Sequence, residues 1–251
     1  MKSFLKKSSP IIVILALLVI WELVVRIANI PLYILPAPTK IISTLFEDIE
    51  ALGHHSLITV LEALIGMAIS LVAAIIFGIL MDALPAFKRS IYPILVVTQT
   101  VPVIVLAPIL VLWMGFGWGP KILTVVLMCF FPIVVSFTDG MSQMDAGYEN
   151  LIKTYGGSKL QVYTMVKLPA AFVSLFSGLK VAATYSISGA VVGEWIASSA
   201  GLGYYLIRAK NSYLMEKVFA SVLVIVILSL LMNGLVRLLR YILIPSERKR
   251  K

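Results

Sequence analysis

The sequence predicts an all-α, polytopic membrane protein with about six transmembrane helices, and three observations lead to that fold class. Hydrophobic residues make up 60% of the 251 residues and charged residues 13%, which is far from the composition of a soluble domain. The hydrophobic residues are concentrated in runs of about 17–25 residues, the length that crosses a bilayer as a helix. The basic residues lie mainly between these runs and at the chain ends. We therefore interpret residues 1–251 as one transmembrane domain.

The first predicted span, Ile11–Ile27, follows a lysine-containing segment and has the general layout of a secretory signal peptide. We interpret it as a retained span, because it is long, contains Glu22 and has no small-x-small cleavage site directly after it. The connection Asn29–Ser56 contains an amphipathic piece, Thr39–Leu52, which is expected to lie along the membrane interface. The second span is Leu57–Met81, whose small residues permit close contact with another helix.

Four further spans are predicted along the chain. Ile91–Met114 is apolar but contains several prolines, and Pro102 closely follows the polar triplet Thr98-Gln99-Thr100. Such a helix is expected to bend, with its polar groups facing protein or a wet cavity. The other three spans are Lys121–Phe137, Ala170–Ala197 and Val218–Ile244.

The distribution of lysine and arginine predicts the orientation of the spans. With the N-terminus inside, the cytoplasmic segments hold about twice as many of these residues as the opposite side, so both termini are expected in the cytoplasm. Because the basic residues are explained in this way, the formal charge of +9 does not indicate nucleic-acid binding. His54 and His55 lack a third ligand at a suitable spacing and are interpreted as a loop pair, while the lone Cys129 is interpreted as a packing residue. No metal site is predicted.

The most informative stretch is the polar segment before the fifth span. Glu149–Tyr155 and Ser158–Lys167 have the pattern of short helices, separated by Gly156-Gly157, the pair best suited to end one helix and turn the chain. Ser158, with Gln161 three residues later, matches a capping box. Pro169 is expected to end this helix, because the residue before proline is pushed out of the helical conformation. On spacing alone, an ordinary cytoplasmic loop with two helical turns is an equal alternative.

This stretch resembles a motif of the permease subunits of bacterial ABC importers: a glycine, nine residues, an aliphatic residue, any residue, then Leu-Pro. Gly156, Val166, Leu168 and Pro169 match the motif, whereas Asn150-Leu151-Ile152 replaces the Glu-Ala-Ala triplet that normally precedes the glycine. The resemblance implies that residues 149–167 are the cytoplasmic coupling segment, which seats in a groove of the ATPase subunit. The residues expected to carry coupling are Glu149, Tyr155, Gly156, Gly157, Ser158, Leu160, Gln161, Leu168 and Pro169.

The fifth span has two different faces when its side chains are placed at about 100° per residue. One face contains ionisable groups, which are costly in hydrocarbon and are expected to meet a cavity or a polar partner; it holds Lys180, Thr184, Val191 and Glu194. The opposite face contains small residues, and its Gly-x-x-x-Gly spacing predicts close packing against another helix; it holds Ala182, Ser186, Gly189 and Gly193.

A translocation path is predicted from these polar groups and from the polar triplet of the third span. Its lining residues are Gln99, Thr100, Thr184, Ser188 and Glu194. An equal alternative for Glu194 is a structural position near the outer membrane interface. For Lys180 we favour a side chain that extends to the cytoplasmic interface. Glu22 and Glu62 are interpreted in the same two ways, as path residues or as interfacial ones.

Further motifs extend the resemblance over nearly the whole chain; they are Leu35-Pro36-Ala37-Pro38, Gln99, Pro102, Ala107-Pro108, Phe131-Pro132, Gly193-Glu194 and Gly201-Leu202-Gly203. Together they look like the nitrate, sulfonate and taurine type of ABC importer permease, including the branch associated with thiamine-pyrimidine precursors and riboflavin. This resemblance implies the type I importer permease fold in a bacterial plasma membrane. It also implies a second permease copy, two cytoplasmic ATPases that use ATP and Mg²⁺, and an extracytoplasmic binding protein, with no cofactor on this chain.

The sequences Gly193-Glu194-Trp195 and Gly203-Tyr204-Tyr205 look closest to the branch associated with these heteroaromatic compounds. A thiamine-pyrimidine precursor or a riboflavin-like solute is therefore the expected substrate. A sulfonate, taurine or nitrate is the near alternative. The alternative from another class is an ion-driven secondary transporter with Glu194 or Glu22 as proton carrier. The chain is not expected to be an enzyme, because its sequence contains no phosphate-binding loop, serine elbow or paired-histidine zinc motif.

Overall fold

The computed structural model describes residues 2–143 and 146–244, and every regular element in these two ranges is a helix. The helices are α1 (Lys2–Ile27), α2 (Pro38–Glu47), α3 (Ile49–Ala83), α4 (Pro85–Thr100), α5 (Val103–Met114), α6 (Trp118–Ser142), α7 (Ala146–Thr154), α8 (Lys159–Val162), α9 (Leu168–Ala197), α10 (Leu202–Asn211) and α11 (Met215–Leu243). A π-helical turn, Tyr163–Lys167, joins α8 to α9. The predicted all-α class is confirmed. The terminal residues 245–251, with their basic cluster, lie outside the described part.

Four helical stretches in the described part are long and apolar enough to cross a membrane. They are α3, α6, α11 and the continuous stretch Lys159–Ile196, which includes α9. The bent pair α4 and α5 makes a fifth if it is counted as one span. Residues 11–27 of α1 are helical as well, and their aliphatic side chains are largely exposed. A count of six spans stays a prediction.

The connection before the second span is shorter than the sequence analysis predicted. The amphipathic piece is broken at Asp48, whose backbone is non-helical (φ −105°, ψ 19°), and α3 begins at Ile49. His54 and His55 therefore lie in a helix, so the prediction of a loop pair was wrong. With 35 residues, α3 is roughly 50 Å long at 1.5 Å per residue, which exceeds the hydrocarbon core. Its N-terminal turns carry polar side chains because they extend beyond the apolar zone.

The third span bends, as the sequence predicted, and the bend lies at Pro102. α4 ends at Thr100, Val101 is extended (φ −81°, ψ 119°), and α5 starts after Pro102 at an angle of 103° to α4. Pro102 pushes Val101 out of the helical conformation, and it lacks the N–H group that would continue the helical hydrogen bonds. Pro93 and Pro108, in contrast, lie inside their helices.

Pro169 does not end a helix, and this prediction was wrong. Leu168 is helical (φ −63°, ψ −46°), and its N–H bonds to the carbonyl of Tyr163, five residues earlier. The π turn is wider than an α-helical turn, so the missing N–H and the ring of the proline are accommodated there. As a result, α8 and α9 are one continuous helical stretch, and the polar segment is attached to the span without a flexible joint.

The centre of the bundle is the contact of α9 with α6, flanked by α3 and α11. The predicted small-residue face of α9 forms this contact. A Cβ built on Gly189 would lie 3.1 Å from Cα of Val125, and one on Gly193 would lie 2.9 Å from Cα of Lys121. Ala182 and Ser186 are fully buried. Close backbone approach through small residues is therefore confirmed as the function of the Gly-x-x-x-Gly face.

Replacing Gly193 with leucine is expected to lower the unfolding free energy by roughly 1–3 kcal/mol, because the new side chain meets the α6 backbone and forces the two helices apart. Gly234→Leu is the matched control, since a Cβ at Gly234 meets nothing within 4 Å and glycine is a poor helix former. Thermal unfolding of the two variants in the same detergent measures the difference. Equal melting temperatures for both variants would contradict the close contact of α6 and α9.

Candidate functional site

The polar segment forms a helix, a tight turn and a capped second helix. Gly156 has a positive φ of 76°, which glycine adopts at little cost. Gly157 is held close to α7, because a Cβ there would lie 2.8 Å from the carbonyl oxygen of Ile152. The predicted capping box is confirmed: the N–H of Gln161 donates to Oγ of Ser158 at 3.3 Å, and the N–H of Ser158 donates to Oε1 of Gln161 at 2.7 Å.

This segment presents an unusual set of exposed apolar side chains for a polar stretch. Tyr155 is 86% exposed, Leu160 72% and Met165 66%. They lie on either side of the glycine turn and on the helix that follows it. Exposed apolar patches rimmed by polar residues are typical of protein contact surfaces, and a docking role for this segment stays a prediction. Glu149, also predicted here, lies in α7, and its side chain lies outside the described part.

The same segment is tied to the end of α3 through Asp82. Oδ2 of Asp82 accepts a hydrogen bond from the hydroxyl of Tyr163 and one from Nζ of Lys167, the latter at 2.8 Å. Both donors lie in the π turn, so α3 and α9 hold the segment together. Sequence analysis missed Asp82, because its partners are about 80 positions away.

The polar residues predicted for the path lie on exposed surfaces of the single chain. Gln99 and Thr100 are exposed at the end of α4, next to the bend, and the Thr100 hydroxyl donates to the carbonyl of Val97 at 2.7 Å. Thr184 is exposed on α9, where its hydroxyl accepts a hydrogen bond from Nδ2 of Asn233 at 2.9 Å. Ser188 is half-buried one turn further along. Whether any of them meets a solute stays a prediction.

Glu194 does not share the environment of Thr184, although the helical wheel placed them on one face. It is 1% exposed, and its carboxylate accepts hydrogen bonds from Oγ1 of Thr59 at 2.7 Å and from the N–H of Gly203 at 2.6 Å. The wheel could not show this, because α3 and α10 cover the end of α9. Its position is that of a buried structural acceptor.

Next to it lies a buried ion pair between Lys121 and Glu62. Glu62 is 0% exposed and Lys121 5%, so both charges lie inside the protein, and whether Glu62 lines the path or lies at interfacial depth stays a prediction. Both carboxylates, Glu62 and Glu194, interact with the charge of Lys121. Lys121 also donates to Oγ of Ser198 at 3.3 Å. The sequence signal for this cluster was the presence of ionisable residues at span ends.

Side chains of α3 and α9 hold the start of α10 by accepting hydrogen bonds from its first backbone N–H groups. The N–H of Gly201 donates to Nδ1 of His55 at 3.0 Å, and that of Leu202 donates to Oγ1 of Thr59 at 2.9 Å. The N–H of Gly203 donates to Glu194, as described above. Three consecutive donors that a helix cannot satisfy internally thus find side-chain acceptors. Gly201 has a positive φ of 106° and no room for a Cβ against Glu194, which explains the Gly-Leu-Gly sequence.

These features define an integral membrane protein of several spans, with an exposed helix-turn-helix segment at one end and a rigidly held helix at the other. The chain belongs to the family of binding-protein-dependent transport system inner membrane components, whose family model matches residues 70–249. The predicted resemblance to ABC importer permeases is confirmed.

Individual relatives agree with this assignment. A probable ABC transporter permease protein of Haemophilus influenzae is 37% identical over 225 residues, covering 88% of this chain and 90% of the relative. The formylaminopyrimidine transport permease protein ThiX of Halalkalibacterium halodurans is 36% identical over 250 residues, covering 99% and 100%. The MetNI methionine ABC transporter, solved in inward-facing conformations, shares the fold with a TM-score of 0.54 at 14% identity, covering 78% of this chain and 97% of that one.

Proposed function

We propose that this chain is the permease subunit of an ATP-driven importer for a small heteroaromatic solute, with a thiamine-pyrimidine precursor as the best candidate. The observation that carries this proposal is the 36% identity to a formylaminopyrimidine permease over 99% of the chain. A riboflavin permease and two sulfonate permeases are less similar, at 26–28% identity. A sulfonate, taurine or nitrate is the second candidate, delivered by the same machinery.

The energy for transport comes from separate ATPase subunits, which bind ATP and Mg²⁺. They dock against the coupling segment of residues 149–167, in which Tyr155 and Leu160 supply exposed apolar surface next to the turn at Gly156-Gly157. The turn and capping box fix the shape of this surface. Asp82 and the continuous helix through Leu168 and Pro169 then pass its displacement to α3 and α9. The segment and both chain termini lie in the cytoplasm.

Exposed polar side chains on the membrane-spanning helices support a path at a dimer interface. Gln99, Thr100, Thr184 and Ser188 belong to surfaces that the described part of one chain leaves uncovered or half-covered. Polar groups at membrane depth need a wet cavity or a partner. A second copy of the permease provides the other wall, and an extracytoplasmic binding protein delivers the solute. Our proposal leaves Glu194 out of the path, because its oxygens already accept hydrogen bonds inside one chain.

Uptake by proteoliposomes tests this proposal. The purified permease, its ATPase and its binding protein are reconstituted together, and uptake of labelled formylaminopyrimidine is followed with ATP or with a proton gradient alone. ATP-dependent uptake that unlabelled taurine does not reduce is expected. Uptake driven by the proton gradient without ATP would support the ion-driven alternative. ATP-dependent uptake of taurine in place of the pyrimidine would keep the importer and replace its substrate.

A further inference from the structure

A second candidate site lies at the end of α3 opposite the coupling segment. It is a cavity of about 300 Å³ between α3, α10 and the start of α11, and it includes His55, Tyr204, Tyr205, Arg208 and Lys217 in its lining. His55 and Asp82 lie on the same helix, about 40 Å apart at 1.5 Å per residue. If the coupling segment is cytoplasmic, the cavity opens on the opposite side of the membrane, where a solute arrives.

Three aromatic rings shape the cavity. The ring of His55 lies 6.0 Å from that of Tyr204 and 5.5 Å from that of Tyr205, at interplanar angles of 58° and 50°. The guanidinium of Arg208 lies 5.7 Å from the centre of the Tyr204 ring, and its Nη1 donates to the Tyr204 hydroxyl at 3.0 Å. Ring faces on several sides and a flat cation suit a planar aromatic guest.

The polar groups in the lining are mainly hydrogen-bond donors. His55 accepts the N–H of Gly201 at Nδ1, so its proton resides on Nε2, which is a donor. Arg208 has five N–H groups and uses Nη1 for Tyr204. Among the described residues no carboxylate lies within 4.0 Å of the Arg208 guanidinium, and none lines the cavity. The lining therefore favours a guest that accepts hydrogen bonds or carries negative charge.

Asp48 lies beside the cavity, but its charge is already compensated. It accepts hydrogen bonds from Nζ of Lys217 at 2.7 Å and from the Tyr205 hydroxyl. Desolvation acts to raise the pKa of the Asp48 carboxyl, but the bonds from Lys217 and Tyr205 outweigh it and hold that pKa below its usual range. Desolvation and the bond to Asp48 raise the pKa of Tyr205, which stays a neutral donor. Glu216 also acts on Tyr205 but does not line the cavity.

We propose that this cavity binds a planar aromatic molecule bearing an anionic or hydrogen-bond-accepting oxygen, with its ring against Tyr204 and Tyr205 and its oxygen on Arg208. The inference rests on the proposed function, which places the opening of the cavity on the extracytoplasmic side of the membrane. It deepens that function by assigning the first contact of the solute to α10. A cavity of about 300 Å³ is at the lower end of the size range for small-molecule sites, which fits one substituted ring.

Calorimetric titration of the purified chain in lipid nanodiscs, without ATPase or ATP, tests the site. Nicotinate is the probe, because it combines a flat ring with a carboxylate. Acetate provides the charge without the ring, and pyridine provides the ring without an oxygen. Saturable nicotinate binding, at least about ten-fold tighter than binding of either comparison compound, is expected, since the ring and ionic contacts each contribute on the order of 1 kcal/mol or more.

Arg208→Gln should weaken nicotinate binding by about ten-fold, because it removes the charge while keeping a polar side chain of similar length. Lys210→Gln is the matched control, since Lys210 is exposed on the same helix and does not line the cavity. Thermal unfolding of both variants should match that of the unmodified chain. Absence of saturable nicotinate binding, equal affinity for acetate, or equal loss in the two variants would overturn the site. ATP-dependent uptake is measured separately, so such a result would leave the proposed function standing.

Discussion

Lys121→Met should cost roughly 3–5 kcal/mol of unfolding free energy, because removing one partner of a buried ion pair leaves the other charge without compensation. Glu62 is 0% exposed and Glu194 1%, and both interact with the charge of Lys121. The variant should therefore give little folded protein in detergent extracts. Thermal unfolding and monodisperse yield in size-exclusion chromatography measure the effect.

Two control variants isolate the buried charge as the cause. Lys40→Met removes a lysine from a largely exposed pair with Glu47, at 3.4 Å, and should change the unfolding free energy by no more than about 0.5 kcal/mol. Adding Glu62→Gln to Lys121→Met removes the uncompensated carboxylate and should restore part of the lost stability. If Lys121→Met unfolds like the unmodified chain, the ion pair does not stabilise this end of the bundle.

Gly156→Val should separate ATP hydrolysis from uptake while the chain still inserts. Valine is strongly disfavoured at φ 76°, by on the order of 1–2 kcal/mol or more. Because a Cβ at Gly156 meets nothing within 4 Å in this chain, the change affects the direction of the turn and the surface presented to a partner. The uptake per ATP hydrolysed should fall by roughly ten-fold, as expected for this strain. Proteoliposomes containing the complete transporter measure that ratio.

Gly156→Asn separates the two possible reasons for the glycine. Asparagine tolerates the left-handed conformation, so coupling should largely persist if the backbone turn is what matters. Loss of coupling in both variants would indicate that a partner needs the empty space at Gly156. Normal coupling in Gly156→Val would contradict the assignment of this segment.

Features that depend on local sequence were predictable. The all-α class, a bend in the proline-containing third span, the capping box of Ser158 and the packing face around Gly189 and Gly193 follow from runs, spacing and backbone preferences within about one or two helical turns. Each of these patterns fixes its structure without a distant partner. The structure reproduces all four.

Features that depend on distant partners were not predictable. The break at Asp48 coincides with contacts to Tyr205 and Lys217, more than 150 positions away. Lys121 is buried because Glu62 lies on the facing helix. A single sequence does not show which spans are adjacent, so these pairings could not be predicted. The sites at both ends of α3 depend on such contacts.

Co-purification with an ATPase tests the central claim most directly. The tagged chain is expressed with the genes encoded beside it, extracted in mild detergent, and the eluate is assayed for bound subunits and ATP hydrolysis. We expect a stoichiometric ATPase subunit with the unmodified chain and with Gly53→Ala, a small change near the other end of α3 where a Cβ meets nothing within 4 Å, and loss of that subunit or of its coupling with Gly156→Val. A chain that purifies alone and transports its solute in vesicles without ATP would contradict the account.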